Sequence, residues 1–454
     1  MRIEASEFLV LGAGVAGLAA AAELGPRARV LERDGRPGGL VRTECFGGYW
    51  FDRVLHLLHF QDAGLRAFCQ ELLGGVLAPC PPEAWVETQA GTARFPLQFH
   101  LAGLEPETRR RCLQGVLAAA AAPEPGTDHR PAYDEYLARS FGEPLCELFY
   151  HPYNRKQWKR PLGELVPGGQ TWNLQRPSAD DALCGARGIV NPSRSYNADG
   201  FYPRPPRDAP VRGMEVLARA LAARAADLRL GCAVVEVDPG RQTVFAVEKG
   251  ERVAYRYERA CLCTLPLPHA IAASADAPDD LRRAAAGLQH NAVLSAAFCV
   301  RGPRPEGTGL WRYYADESLC FTRLIFMTEF DPLNAPPDGW GLLAEIPVRP
   351  GEPRPPDTEI LATARRDAGR AGVLGPDAEV IDARLMVADP AYVVFTRGSE
   401  ETAAACRAHL ARGRIAALGR YGRWEYSSMA QALGQGLRWA RTVSAGDPWA
   451  EGDA

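Results

Sequence analysis

The sequence has no long apolar run. Its longest stretch of small apolar residues, Val116 to Ala122, falls far short of the roughly 20 residues that a membrane-spanning helix needs. No CxxC pair occurs either. The closest of the twelve cysteines, Cys261 and Cys263, are separated by one residue, so zinc-ribbon and thioredoxin-like readings fail and no metal is expected. Such irregular spacing fits small buried hydrophobes in a reducing compartment. An excess of one charge sign is also lacking: 52 basic and 55 acidic side chains leave a net charge of −3. That removes any general attraction to nucleic acid or an anionic membrane, and leaves an anionic small ligand to a few placed arginines. The chain opens Met1-Arg2-Ile3-Glu4 with no basic segment leading into a cleavable apolar stretch, so the cytoplasm is the expected location. There is no internal repeat, no low-complexity tract and no Ser-His-Asp or Cys-His signature, and nothing specifies an oligomeric state.

What is present is an ordinary globular balance, 46% hydrophobic and 24% charged over 454 residues. At roughly 150 residues per domain, one to three domains are expected. Phe8-Leu9-Val10-Leu11 is a short continuous apolar run, as in a strand buried on both faces. A glycine-rich turn follows, then an alanine-rich helix over Leu18 to Leu24 and a second strand, Arg29-Val30-Leu31-Glu32, giving a βαβ unit. Further helices are predicted at 62–74, 104–122, 213–226, 358–372 and 429–442. Strands are predicted at Leu228 to Val237, Ala260 to Leu265, 291–301 and 340–347, with hairpins over 242–258. Residues 123–210 are rich in aromatics, Pro, Asn and Arg with weak periodicity, which suits an inserted cap more than a sheet. The last dozen residues are expected to fray.

Gly12-Ala13-Gly14-Val15-Ala16-Gly17 is a GxGxxG placed directly between strand and helix. Gly12 permits the tight turn, Gly14 lets backbone approach a pyrophosphate, and Gly17 allows close helix–strand packing. The helix start, with Val15 and Ala16, faces the phosphates. Glu32 ends the next strand twenty residues after Gly12, where an acid accepts both ribose hydroxyls and would repel the extra phosphate of NADP.

The stretch that follows, Arg33-Asp34-Gly35-Arg36-Pro37-Gly38-Gly39-Leu40-Val41-Arg42-Thr43, puts a Gly-Gly pair and an arginine soon after that acid. It resembles the glutathione-reductase-type FAD proteins, in the branch that holds amine oxidases, protoporphyrinogen oxidase and UDP-galactopyranose mutase. Ala260 to Leu267 looks like that branch's strand ending in a Thr-x-Pro turn, and Gly419 to Tyr426 like its returning C-terminal motif. The resemblance implies an α/β fold: a discontinuous Rossmann-type FAD-binding domain with an inserted mixed α+β cap and substrate region. The expected parts are 1–90, 211–290 and 401–445 for the FAD domain, 91–210 for the cap, 291–400 for a substrate sheet, and 446–454 as tail. It implies FAD as cofactor, with Arg33, Gly38, Gly39, Leu40, Arg42, Val234, Thr264, Gly419, Arg420, Tyr426, Ser427 and Ser428 joining the fingerprint residues around it.

Other stretches resemble the UDP-galactopyranose mutases in particular. Phe51 to His59 matches the segment passing over the isoalloxazine, with His56 and His59 three residues apart and His56 expected nearest the flavin. Phe95-Pro96-Leu97-Gln98 is similar to a stretch at the nucleotide pocket, and Pro152-Tyr153-Asn154-Arg155-Lys156-Gln157-Trp158 to a PYNxKxW stretch. Arg176 and Arg323 stand at the positions of two diphosphate arginines; Tyr314, Tyr392 and Tyr426 match tyrosines that contact the diphosphate. From residue chemistry alone, arginines among tyrosines suit bidentate phosphate binding, and Trp158 and Tyr153 suit stacking on a uracil or sugar face. Each aromatic serves equally well as core packing.

The resemblance thus implies an enzyme of nucleoside-diphosphate sugars, in which reduced flavin N5 attacks the anomeric carbon and the sugar recloses at another hydroxyl. His56, Arg176, Arg323 and Tyr426 would be its catalytic residues; Gln98, Tyr153, Asn154, Trp158, Tyr314 and Tyr392 would bind substrate. Several positions depart from the mutases. Val54-Leu55 replaces the glycine-containing pair before His56, which restricts the backbone there. Ser428 stands in place of an acid, Ala430 in place of a polar residue, and Val393 in place of the proline after Tyr392. These departures favour the alternative, a flavin oxidase or dehydrogenase of an amine, alcohol or ring carbon. A flavin-binding protein without turnover is the third reading.

Overall fold

The computed structural model describes residues 2–55, 57–126, 131–169, 171, 174–189, 199–376 and 378–446. Two seven-stranded sheets organise them. In the first, strand Arg2–Leu11 lies at the centre, parallel to Ala28–Glu32 on one side and to Glu251–Cys263 on the other. Asp227–Leu230 extends the sheet beyond Ala28–Glu32, and Ile415–Ala417 pairs parallel to Glu251–Cys263. An antiparallel hairpin, Thr243–Glu248 with Cys232–Asp238, is attached to the same long strand.

The apolar run at the start explains why this sheet is covered on both faces. Phe8 and Val10 point into one core with Leu18, Leu217 and Leu437, from helices Val15–Leu24, Glu215–Arg224 and Met429–Ser444. Leu9 and Leu11 point into another with Ile271, Cys406 and Leu410. A strand with no solvent face needs no polar alternation. All twelve cysteines are free and nine are buried. No helix among the described residues is long and apolar enough to cross a membrane.

The second sheet runs Glu379–Val394, Gln289–Arg301, Gly339–Val348, Arg323–Phe326, Trp311–Tyr314, Ala84–Thr88, Gly91–Arg94. The expected boundary at residues 90/91 therefore cuts a hairpin whose two strands both belong here, Ala84–Thr88 lying parallel to Trp311–Tyr314. The strands are short and their partner is distant in sequence, so no local pattern marks the pairing. Residues 123–210, expected as a mainly helical or irregular cap, include helices Tyr133–Phe141, His151–Trp158 and Ala179–Ala186. Tyr133, Tyr136, Leu137 and Phe141 are buried at helical spacing. The aromatics that obscured the periodicity are the apolar face itself.

Candidate functional site

A cavity of about 440 Å3 opens where the first sheet's central strands end. Gly12, with a φ of +99°, makes the turn out of the first strand, and its amide donates to the carbonyl of Leu31 at 2.8 Å. A Cβ on Gly14 would meet nothing within 4 Å, so backbone is laid open to the cavity there. Gly17 does not line the cavity: its α-carbon faces the Gly12 carbonyl, so close that a Cβ would sit 2.1 Å from that oxygen. Val15 and Ala16 line the wall at the helix start. Glu32 is buried, and its two oxygens accept from the amides of Ala13 at 2.7 Å and Asp34 at 2.9 Å. Each oxygen keeps a further lone pair for a hydroxyl donor.

Arg33, Gly38, Gly39 and Leu40 continue the wall. Arg42 is buried, its Nη2 2.5 Å from Asp34, while its Nε has no partner among the described residues. Arg42 and Arg53 flank the hairpin Thr43–Phe46 and Tyr49–Asp52. Asp52 closes it, accepting from the Thr43 hydroxyl, the Tyr202 hydroxyl and the Met214 amide at 2.6, 2.8 and 3.0 Å. Complete burial pushes the Asp52 carboxyl up to about 6.

Val234, Thr264, Gly419, Arg420, Ser427 and Ser428 also line the cavity. The Thr264 hydroxyl donates to the Leu11 carbonyl at 2.8 Å, tying two parallel strands together at its floor. Ser428 is the N-cap of helix Met429–Ser444, in a capping box with Gln431. Where the resemblance marked a lost acid, the serine secures a helix start. Two helix N-termini thus converge on one cavity, and each favours negative charge. The Ser427 hydroxyl is buried without a partner among the described residues. Sequence reasoning missed the strand segment Val387, Ala388, Asp389 and Pro390, which reaches across from the second sheet to cover the cavity.

A second cavity, of about 150 Å3, lies against the second sheet and the helix His151–Trp158. Tyr153, Asn154, Trp158, Arg323, Tyr392 and Tyr426 line it. Asn154 accepts from the Trp158 indole at 3.0 Å and donates to the Tyr150 carbonyl at 2.7 Å, which fixes the helix's inner face. Burial keeps the hydroxyls of Tyr153 and Tyr392 protonated by raising them well above the usual phenol range. Gln98 lies one layer behind, accepting from the Tyr150 hydroxyl at 2.6 Å. Lys156, pulled down to about 8 by burial, faces away and donates to the carbonyls of Tyr314 and Asp316.

Three expectations change here. Tyr314 does not reach the cavity: it packs edge-on to Phe321 in the core on the other side of the sheet. Tyr313 lines the cavity instead, 5.7 Å below the Arg323 guanidinium. Successive strand residues face opposite ways, so between two adjacent tyrosines only register decides. Accordingly, Tyr313→Phe is expected to weaken ligand binding several-fold in titration calorimetry, whereas Tyr314→Phe leaves it unchanged. Arg176 is also elsewhere; its guanidinium donates to the carbonyls of Ala119 and Ala122 at the end of helix Pro106–Ala121, those being the orphan acceptors of a helix C-terminus. His56 lies outside the described residues.

The third change is Glu345, which the sequence did not single out. It stands directly across from Arg323 on the neighbouring strand, and its Oε2 accepts from Nε at 2.7 Å and Nη2 at 2.5 Å. Burial opposes the charge on Arg323, but the Glu345 carboxylate beside it holds it firmly protonated. Between the two cavities stand Tyr392 and Tyr426, stacked with ring centres 5.9 Å apart. Arg420 lies 5.1 Å from the Tyr426 ring on the side of the first cavity, and its donors go to the carbonyls of Ser427 and Ala391.

Residues 167–444, more than half of the chain, match the sequence profile described as flavin containing amine oxidoreductase. The chain belongs to the flavin containing amine oxidoreductase family. Residues 10–72 match a Rossmann-like NAD(P)-binding domain. Among solved structures, a reduced UDP-galactopyranose mutase aligns with a TM-score of 0.85 at 19% identity, over 97% of this chain and 94% of that one. A protein from Exiguobacterium sp. 255-15 assigned as a protoporphyrinogen oxidase aligns at 0.72 and 15%, over 98% and 100%. A putrescine oxidase bound to putrescine aligns at 0.64 and 16%, over 98% and 100%. The fold is theirs, and the chain is a flavoenzyme with FAD as cofactor. The larger cavity fits that group: an open glycine at a helix start, a ribose-type acid, and the Arg42 Nε and Ser427 hydroxyl, both without a partner among the described residues.

Proposed function

We propose that this flavoenzyme rearranges a nucleoside-diphosphate sugar without net oxidation. The observation that carries the reading is the stacked pair Tyr392–Tyr426 between the two cavities, with Arg323 on one side and Arg420 on the other. A diphosphate seated against that pair would meet Arg323 from the smaller cavity and Arg420 from the larger. The likeness to a UDP-galactopyranose mutase over nearly the whole chain supports the same reading.

In this mechanism Gly12, Gly14 and the start of helix Val15–Leu24 would hold the cofactor's pyrophosphate, Glu32 its ribose, and Arg42 and Ser427 its remaining acceptors. FAD, when bound and reduced, would supply the nucleophilic chemistry for the anomeric carbon. Arg323 and Arg420 stabilise the negative charge that develops on the leaving group. The tyrosines, kept protonated by burial, donate to phosphate oxygens, and the aromatic wall of Trp158 and Tyr153 orients the ligand and excludes water. Arg176, whose donors serve a helix end, is not used.

A second reading, a flavin oxidoreductase, is favoured by one observation. Glu345 balances the charge of Arg323, so the small cavity has a net charge near zero and suits an uncharged substrate. Incubating oxidised and dithionite-reduced enzyme with UDP- and GDP-hexoses separates the two. New isomers from the reduced enzyme alone, without peroxide, are expected. Isomerisation as fast by the oxidised enzyme, or stoichiometric peroxide or reduced acceptor, selects the oxidoreductase.

A further inference from the structure

Helix Leu267–Ala273 follows the Thr264 turn at the floor of the larger cavity. Leu267, Ala270 and Ile271 anchor it in the core that also holds Leu9 and Leu11. Another side of the helix carries His269 and Ala273, one turn apart, and both line the cavity. His269 is exposed there and makes no hydrogen bond among the described residues. Most exposed histidines are simply solvated. This one instead faces a slot whose other walls include Pro266, Ala273 and Val234, side chains with nothing to donate or accept.

The slot lies beside the acid that closes the second strand. Gly231, just before strand Cys232–Asp238, donates its amide to the Asp34 carbonyl at 3.0 Å, which brings the start of that strand into the cavity wall next to Glu32. The Ala275 amide donates to the Val237 carbonyl at 2.7 Å and holds the end of helix Leu267–Ala273 against the same strand. Arg33, directly after the acid, lines the cavity as well. Partial burial and then the charge of Arg33 lower the pKa of His269, so the guanidinium stands near a ring that stays neutral.

An adenosine diphosphate group has one covalent order: pyrophosphate, ribose, base. With the pyrophosphate against Gly14 and the ribose at Glu32, the base comes next to Arg33 and meets the apolar slot. A purine offers two π-faces, and an imidazole or a guanidinium plane is a suitable partner for either.

We propose that His269 is a cofactor-binding residue whose imidazole stacks on the adenine of FAD, in the slot beside Arg33. The inference rests on FAD as the cofactor and is independent of what the smaller cavity holds.

The test titrates the full-length protein, stripped of flavin, with FAD, FMN and ADP by fluorescence and calorimetry. His269→Ala is expected to raise the dissociation constants of FAD and ADP about ten-fold, within the range seen when a base loses an aromatic partner. FMN, which has no adenine, is expected to bind as it does to the wild type. His269→Phe keeps a flat ring and should bind FAD as the wild type does, whereas His269→Gln keeps a polar group without the ring and should show the loss. Melting curves of the apoproteins establish that each variant is folded; should His269→Ala not fold, the contrast between His269→Phe and His269→Gln decides. An unchanged FAD constant in the variants without a ring overturns the proposal. So does equal weakening of FAD and FMN, which places the effect outside the adenine, or wild-type binding by His269→Gln, which replaces stacking with a hydrogen bond.

Discussion

Gly17→Val is expected to purify without yellow colour and to melt well below the wild-type apoprotein. The Cβ of any side chain at this position would lie 2.1 Å from the Gly12 carbonyl oxygen and 3.1 Å from Cγ1 of Val10. The first obstacle is backbone, in a turn whose φ of +99° already restricts it, so no rotamer relieves the clash. The start of helix Val15–Leu24 must move off the first strand. Overpacking of this kind costs about 1–3 kcal/mol and sometimes more, and the same displacement turns the helix amides away from the pyrophosphate. Gly14→Ala provides the contrast. Its Cβ meets nothing within 4 Å, so the apoprotein is expected to melt as the wild type does, yet the added methyl occupies the space where the cofactor approaches. The ratio of flavin to protein absorbance and a melting curve, taken on both variants, separate loss of cofactor from loss of fold. A yellow Gly17→Val protein would mean that the cofactor does not depend on this helix start.

Arg323→Met is expected to be the most damaging change in the ligand cavity, for two separable reasons. It removes the guanidinium that lines the smaller cavity, the proposed ligand site, and it strands Glu345, whose side chain is only 4% exposed. Breaking a buried pair by removing one partner typically costs about 3–5 kcal/mol, whereas replacing both partners with apolar groups is often neutral. Urea unfolding of the flavin-loaded protein should therefore show Arg323→Met strongly destabilised and Arg323→Met/Glu345→Met largely recovered. Ligand binding, measured by calorimetry with UDP, stays lost in both. Equal stability of the single and double variants would show that Glu345 finds another partner when Arg323 is gone.

The residues that carry the cofactor cavity were legible because local rules fix them. Glycine at a positive φ, a helix start facing a cavity, and an acid closing the next strand are set by a few neighbouring residues, so spacing alone exposes them. The returning motif from Gly419 to Tyr426, with Ser427 and Ser428 after it, was legible by resemblance, and Gly419, Arg420, Ser427 and Ser428 do line the cavity. The ligand cavity was less legible because its lining is fixed by the second sheet's register. Tyr313 and Tyr314 are chemically identical, and the choice between them depends on which face of a four-residue strand is buried against what. Glu345 reads in sequence as one more acid; only pairing between Arg323–Phe326 and Gly339–Val348 sets it against Arg323. Arg176 shows the opposite failure, since matching position did not foretell that a helix end with unsatisfied carbonyls would claim its donors.

The cofactor cavity takes its walls from almost the full span of the polypeptide, from Gly12 in the first turn to Ala432 in the last helix. During synthesis, strands Arg2–Leu11 and Ala28–Glu32 emerge hundreds of residues before their cap at Met429–Ser444. A nascent chain cannot enclose its flavin until nearly all of it has left the ribosome. Loading is thus a late event in biogenesis, and a nick that frees the final helix would release the coenzyme while most of the strand pairing persists.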